Sequence, residues 1–404
     1  MKKLKIIYFI LPLILILNTT ALKNIIIAQT TQNLPDDSLF YRQKRLFTKL
    51  KVIESWKITK GSPDIIVGVI DNGFDFFHPD LESQLTPGYY ASGGYHTEIY
   101  ENIAHGTLVA SIIGAKENNK IGIAGLAPGC KILTASLDMI EHKLIKLQKK
   151  FKKNHPDANL LDFQKEMMKH QNELKEFGKK WSEYQSSSTA EAIRYLVDHG
   201  VKVINISGLI RKSLTSSPEA WSKLENAFDY AENKNVLIVM GAGNNARKCE
   251  DYPGKEKSTI VVGAATLDDK RWVEEVNYMK RKVKIGYNYG ERLTVVAPPE
   301  SIVVCIPHEK RFYFSEDSPM GNTETKFKGM YDILPEGATS SATSVVTSLA
   351  ALIYSLRNDL DPESVVKIIK KGCDDIGEKG YDTYTGYGRI NFLKTLKIAK
   401  NWEK

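Results

Sequence analysis

Short runs of consecutive apolar residues alternate along the chain with longer segments in which apolar residues recur every three or four positions. The runs are five to seven residues long, which is typical of strands buried on both faces of a parallel sheet. They lie at 65–70, 131–136, 201–206, 236–240, 259–265 and 293–297. Helical segments lie at 107–115, 190–199, 218–232, 341–357 and 362–371. This alternation predicts an α/β fold: a doubly wound, mainly parallel sheet flanked by helices on both faces, with right-handed crossovers.

Polar residues follow three of these strands. Asp71 comes directly after the first strand, Ser207 after the third, and Asn244 shortly after the fourth. His105 and Ser340 each open a predicted helix of small and apolar residues. In an open parallel sheet, functional side chains collect at the carboxyl ends of the strands. The pattern therefore predicts one site at that edge that combines an aspartate, a histidine, an asparagine and a serine.

These residue types suit nucleophilic hydrolysis. A serine hydroxyl is a weak nucleophile until a base such as His105 removes its proton, and Asp71 can hold the required imidazole tautomer. Ser340 at a helix N-terminus lies among unpaired N–H groups, and Asn244 offers a second donor to an oxyanion. Taken singly, each residue also fits an ordinary structural role, as a turn aspartate, a helix-start histidine, a turn asparagine or an N-cap serine.

The stretches around these residues resemble the subtilisin-like serine proteases, the subtilase or peptidase S8 family, over about residues 37–396. The matching motifs are Val69-Ile-Asp-Asn-Gly, His105-Gly-Thr-Leu-Val-Ala, Val203-Ile-Asn-Ile-Ser, Ala242-Gly-Asn and Ala338-Thr-Ser-Ser-Ala. The order Asp, His, Ser is that of the family. The resemblance implies a subtilisin-like fold and a serine endopeptidase with Asp71, His105 and Ser340 as its catalytic triad and Asn244 as its oxyanion donor.

The resemblance also implies where an extended substrate pairs with the enzyme. The implied substrate-binding residues are Ser207, Gly208, Leu209, Gly241, Ala242 and Gly243. The family usually has Ser-Leu-Gly where this chain has Ser-Gly-Leu, so Leu209 is expected to narrow one pocket wall.

Two departures fall in the nucleophile motif, where Ala338 and Ser344 replace the usual glycine and proline. Alanine costs little if the local φ is negative. The alternatives to an active protease are a weak or inactive subtilisin-like fold that binds proteins, and an esterase. The esterase is disfavoured because no Gly-x-Ser-x-Gly elbow is present.

A structural Ca²⁺ site is a further implication of the resemblance. The implied metal ligands are Asp80, Glu117, Asn119, Ile121 and Ile123, which combine carboxylate, amide and carbonyl oxygens. The alternative is a polar turn that binds no ion.

The N-terminus has the features of an export signal. Met1-Lys-Lys-Leu-Lys precedes the apolar run 6–17, which is too short to span a bilayer. We expect a signal peptide over 1–28, with cleavage after Ala21 or Ala28 or retention as an anchor, and a peptidase domain over 29–404. The mature protein is then secreted or periplasmic, has no stable membrane span, and lacks room for the usual folding propeptide.

The formal charge of +8 does not indicate a nucleic-acid partner, because the excess of lysine lies in residues 1–28 and 141–184. We expect a monomer that acts on peptide or protein substrates. Cys130, Cys249, Cys305 and Cys373 allow three connectivities of two disulfides, and free buried thiols are an equal alternative for Cys130 and Cys373.

Two insertions set this chain apart. Heptad spacing on both sides of Pro156 predicts an antiparallel helical hairpin over 137–184, with its second helix over 157–183. Such a hairpin either borders the substrate cleft or is a solvated decoration, and His170 on its seam is expected to be a packed residue. The second insertion, 307–336, is predicted to be a β-excursion or flap.

Overall fold

The structure is a computed structural model that describes residues 34–91, 105–137, 151, 153–155, 171–208, 210–215, 217–278, 281–300, 302–306, 330–334 and 338–403. Within the described residues, Asp37 and the chain that follows it form one compact unit. The predicted signal peptide, residues 307–329, 335 and 336 of the second insertion, and most of the predicted hairpin lie outside the described residues.

A parallel sheet of seven strands forms the centre of the described chain. Its strands are β1 (Ile66–Asp71), β2 (Leu85–Tyr90), β3 (Lys131–Ser136), β4 (Val203–Ile206), β5 (Leu237–Gly241), β6 (Thr259–Ala264) and β9 (Val295–Ala297), in the order β2-β3-β1-β4-β5-β6-β9. Every pairing within this sheet is parallel. Two antiparallel strand pairs accompany it, β7 (Val273–Tyr278) with β8 (Arg281–Gly286) and β10 (Ile302–Cys305) with β11 (Tyr331–Leu334).

Helices cover the sheet on both faces, as the alternation of elements predicts. They are α1 (Phe40–Leu50), α2 (Val52–Trp56), α3 (His105–Gly114), α4 (Gln171–Asp198), α5 (Pro218–Asn233), α6 (Thr339–Leu356), α7 (Pro362–Gly372) and α8 (Phe392–Lys400). Helices α3 and α6 pack together against one face, while α4 and α5 pack together against the other.

Helix α6 is the core helix of this arrangement. By length and composition alone it could cross a membrane, but 83% of it is buried inside the fold. It contacts β4, β5, β6 and β9, so its first turn is held at the carboxyl edge of the sheet. The strand residues that the apolar runs predict, including Val67, Val69, Ile204 and Val239, are buried between the sheet and its helices.

The N-terminal part of the domain differs from the prediction. The hydrophobic pattern predicts its first strand at 65–70 and no helix before it, but α1 and α2 occupy 40–50 and 52–56. Phe40, Leu46, Phe47 and Leu50 lie on one face of α1 and are buried. The polar residues between them obscure the helical period.

Helix α4 is also longer than predicted. The sequence suggests that one helix ends near Glu183 and another begins near Ala190, yet residues 171–198 form one uninterrupted helix. The segment Ser186-Ser-Ser-Thr has the composition of a helix start. Within α4, however, Ser186, Ser188 and Thr189 are buried, and no proline or glycine between 179 and 198 interrupts the backbone.

All four cysteines are free thiols buried in the fold, so none of the possible disulfide pairings forms. Burial raises the pKa of the Cys130 and Cys305 thiols and raises the pKa of Cys373 to about 12. These groups are therefore protonated and shielded from reagents at neutral pH.

This arrangement predicts the thiol reactivity of the unreduced protein. The folded protein should react slowly with a chromogenic thiol reagent, and the protein unfolded in guanidinium should release signal for all four cysteines. Prior treatment with a reductant should change neither result nor the melting temperature. A titration below four thiols in the unfolded, unreduced protein would demonstrate a disulfide and contradict the structure.

Candidate active site

Asp71 and His105 come together because β1 ends where α3 begins. The N–H of Gly106 donates to the Asn72 carbonyl at 2.9 Å, which joins the helix start to the turn after the strand. A Cβ atom on Gly106 would lie 2.7 Å from the Gly73 carbonyl oxygen, so a larger residue cannot approach this closely. The glycine of the histidine motif therefore sets the distance between the two side chains.

A short hydrogen bond connects these side chains. His105 Nδ1 lies 2.7 Å from Asp71 Oδ1, and the Asp71 side chain is only 3% exposed. Asp71 Oδ1 also accepts the N–H of Asn72 at 2.7 Å. Because a carboxylate can only accept, Nδ1 must be the donor, and the neutral imidazole then carries its basic lone pair on Nε2. Asp71 Oδ2 is buried and has no hydrogen-bond partner among the described residues.

Ser340 is the second residue of α6, where backbone N–H groups have no acceptor within the helix. Its hydroxyl donates to the Ser207 carbonyl at 3.1 Å. Both departures from the family motif are accommodated. Ala338 precedes the helix with φ of −98°, where glycine is not required, and Ser344 donates its hydroxyl to the Ser340 carbonyl at 3.0 Å.

Asn244 lies beside the nucleophile. Its Oδ1 accepts the N–H of Thr339 at 3.0 Å, which leaves its Nδ2 as the donor end of the amide. The loop around Asn244 has left-handed residues on both sides, Gly243 with φ of +86° and Ala246 with φ of +52°. For alanine this conformation costs roughly 1–2 kcal/mol, so neighbouring contacts must hold it in place.

A buried hydrogen-bond chain supports the serine from the helix side. Thr347 Oγ1 donates to Asn205 Oδ1 at 2.8 Å, and Asn205 Nδ2 donates to Ser207 Oγ at 2.9 Å. Ser207 Oγ then donates to the Ser340 carbonyl at 3.3 Å. This hydrogen-bond chain connects β4 to the start of α6, and the hydrogen bond from the Ser340 hydroxyl to the Ser207 carbonyl closes it.

The predicted substrate-binding residues lie around the same edge of the sheet. They differ in whether their backbone groups are available to hydrogen-bond with a substrate strand. Gly208 faces open space, and Leu209 lies outside the described residues. Ala242, in contrast, already uses both backbone groups. Its N–H donates to the Val262 carbonyl, and its carbonyl accepts from Tyr252 and Asn288. The expectation that a substrate strand pairs with the backbone of Ala242 is therefore not supported by this geometry.

The implied calcium loop closes on Asp80, which is fully buried. Asp80 Oδ1 accepts from Asn119 Nδ2 at 2.6 Å, and Oδ2 accepts the N–H of Ile123 at 2.9 Å. Asp37, which is not among the implied metal ligands, joins the same loop and accepts the N–H groups of Asn118 and Asn119. Burial is the main cause that raises the pKa of both aspartates.

Two features limit this loop as a metal site. The Glu117 carboxylate pairs with Lys60 at 2.7 Å, so it faces a lysine rather than Asp80. In the described part of the chain, no group of three or more His, Cys, Asp or Glu side chains could hold a metal ion. Any cation here would depend on backbone and amide oxygens beside the two aspartates.

Known proteins similar to this chain are proteases. Residues 62–388 match the peptidase S8 subtilase family. The chain is 30% identical over 340 residues to the thermophilic serine proteinase of Bacillus sp. (strain AK1), covering 83% of this chain and 63% of that protein. It is 24% identical over 363 residues to thermitase of Thermoactinomyces vulgaris, covering 90% of this chain and 99% of thermitase. By contrast, it spans only 42% of fervidolysin of Fervidobacterium pennivorans.

Solved structures agree on the fold. The crystal structure of a lanthipeptide protease superposes with a TM-score of 0.62 at 18% identity, covering 90% of this chain and 98% of that protein. The structure of fervidolysin gives a TM-score of 0.59 at 23% identity, covering 89% of this chain and 46% of that protein. The family match covers most of the chain, and the parallel sheet and helix arrangement are those of the solved relatives. The chain therefore belongs to the subtilase family.

Proposed function

We propose that this chain is a secreted serine endopeptidase that hydrolyses peptide bonds of peptide or protein substrates as a monomer. The observation that carries the proposal is the 2.7 Å bond between buried Asp71 and His105, at the sheet edge where α6 presents Ser340. The names of the similar proteases and the family match support the same activity.

In the proposed reaction, Ser340 Oγ turns from the Ser207 carbonyl toward His105 Nε2, which takes its proton as Oγ attacks the scissile carbonyl carbon. The new oxyanion lies at the N-terminus of α6, where Asn244 Nδ2 and the Ser340 N–H donate to it. His105 returns the proton to the departing amine, and an acyl-enzyme remains. Water, deprotonated by the same imidazole, then hydrolyses the ester and restores the hydroxyl.

Asp71 has a defined electrostatic task in this scheme. Its buried carboxylate faces the imidazole that becomes positively charged when Ser340 loses its proton. A charge pair in a site of low effective dielectric interacts more strongly than in water, which favours the ionised intermediate. In an Asp71→Asn variant, a neutral amide replaces the carboxylate, and this amide can stabilise the unproductive tautomer of the His105 imidazole.

Substitutions of the proposed triad test the function. Ser340→Ala, His105→Ala and Asp71→Asn should each abolish most hydrolysis of a chromogenic peptide, because each removes a member of one proton-transfer unit. Asn244→Ala should retain labelling of Ser340 by a fluorophosphonate probe but lower kcat by roughly 10²–10³.

The matched control is Ser341→Ala, which alters the neighbouring serine of the same helix turn and should keep both labelling and activity. Near wild-type hydrolysis by His105→Ala would contradict the assignment. Labelling without any hydrolysis across a peptide library would instead favour a protein-binding role.

We further propose that the 117–123 loop holds a structural Ca²⁺ ion. Its support is the donor set, because Asp37 and Asp80 bring two buried carboxylates to one loop and calcium prefers such oxygen ligands. The residues fit with one change: the Asn119 amide must rotate so that its oxygen replaces Nδ2 toward the ion. Ile121 and Ile123 would contribute carbonyl oxygens, as would Glu117, whose carboxylate is engaged elsewhere.

Calcium should then stabilise the folded protein. An ion that binds only the native state adds about 2.7 kcal/mol to the free energy of unfolding when present at about 100 times its Kd. The melting temperature should therefore be higher in millimolar Ca²⁺ than in EGTA, and Asp80→Asn should remove this difference. Identical melting curves of the wild-type protein in the two buffers would exclude the site.

A further inference from the structure

We infer that Asn288 is the positioning residue for Asn244, the proposed oxyanion donor. The inference rests on the proposed function and deepens it, because Asn288 is assigned an indirect part in transition-state binding. Asn288 lies two residues after β8 and is fully buried. It belongs to none of the motifs in which the sequence suggests catalytic chemistry.

The Asn288 side chain holds the loop on both sides of Asn244. Its Oδ1 accepts the N–H of Asn245 at 3.1 Å and that of Arg247 at 3.3 Å. Its Nδ2 donates to the Ala242 carbonyl at 2.9 Å. One side chain thus joins the residues before and after the donor, and it uses three of the four hydrogen bonds that an amide can form.

Backbone bonds bring Asn288 to this position. Its own N–H donates to the Gly243 carbonyl at 2.8 Å, and the N–H of Gly286 donates to the Asn244 carbonyl at 3.2 Å. The N–H of Ala246 donates to the Gly286 carbonyl at 2.7 Å. The segment 286–288 therefore runs beside the loop, and the side-chain amide extends the contact across its far end.

Such a clamp is required by the geometry of the loop. Ala246 keeps a left-handed conformation that alanine normally avoids, so the loop relaxes if the contacts around it are lost. Oxyanion donors act over a narrow range of distance, about 2.7–3.1 Å, so a small displacement of Asn244 weakens the bond to the transition state. Ground-state binding of substrate depends less on this one donor.

A second donor to the loop provides an internal comparison. Tyr252 donates its hydroxyl to the Ala242 carbonyl at 2.8 Å, and burial raises the pKa of Tyr252 so that the hydroxyl stays protonated. Tyr252 holds only the side before Asn244, whereas Asn288 holds both sides. Tyr252→Phe should therefore lower kcat much less than Asn288→Ala.

The test is a double-mutant cycle on peptide hydrolysis with Asn288→Ala, Asn244→Ala and the double variant. Asn288→Ala should lower kcat by roughly 10–100-fold and change KM by less than about threefold. This loss of kcat is smaller than the one expected for Asn244→Ala, which removes the donor itself. In the Asn244→Ala background the same substitution should lower kcat by less than about twofold, because no donor remains to be positioned. Asn288→Asp keeps the acceptor for Asn245 and Arg247 and should recover part of kcat.

A matched control separates positioning from general stability. The amide of Asn391 also acts as both acceptor and donor. It accepts the N–H of Lys394 and donates to Asp374, but it caps α8, the last helix of the chain. Asn391→Ala should lower the melting temperature and leave kcat unchanged. Equal losses of kcat in Asn391→Ala and Asn288→Ala would overturn the inference.

Hydrogen exchange provides a readout that does not need catalysis. In a Ser340→Ala background, Asn288→Ala should speed amide exchange within 243–248 and leave exchange in β1 unchanged. Unchanged exchange in the loop would overturn the inference about Asn288 and leave the proposed function standing. Additive losses of kcat in the double-mutant cycle, with the wild-type protein active, would do the same. Absence of wild-type hydrolysis, or full activity of Ser340→Ala, would refute the proposed function, and the exchange result would still decide whether Asn288 holds the loop.

Discussion

Helix α6 is buried along nearly its whole length, and its fit against four strands and α3 fixes where its first turn lies. Interiors are close-packed, so adding even small groups to such an interface typically costs about 1–3 kcal/mol. At Gly241 the fit is tight, since a Cβ there would lie 3.1 Å from Thr339 Oγ1. The packing of α6 therefore fixes the position of Ser340, and its hydrogen bonds are not needed to place it.

Buried hydroxyls make this packing possible in an apolar environment. Thr343, Ser348 and Ser355 each donate to the carbonyl four residues earlier in α6, so they bring no unsatisfied donor into the core. Thr347 of the same helix instead begins the short hydrogen-bond chain through Asn205 to Ser207. Apolar packing locates the helix, and this polar chain orients the groups next to the nucleophile.

The parts of the fold that the sequence predicts are those in which one period dominates. The six apolar runs all correspond to strands of the sheet, and the site residues follow from their positions at strand ends and helix starts. The edge strand β2 and helix α1 are missed, because Pro87 and Gly88 interrupt one pattern and polar residues dilute the other. Asn288 carries no local signal, since its partners lie more than 40 residues earlier and only the tertiary fold brings them together.

The unbroken course of α4 has a consequence for how its chain could change in evolution. A helix of 28 residues is about 42 Å long, and its C-terminal part packs against the sheet while its N-terminal part, 171–184, belongs to the predicted insertion. With no hinge between the two parts, each residue gained or lost within the helix would turn everything before it by about 100° and shift it by about 1.5 Å. The length of the helix therefore sets the direction in which its N-terminal residues face, and only changes close to whole turns would preserve that direction.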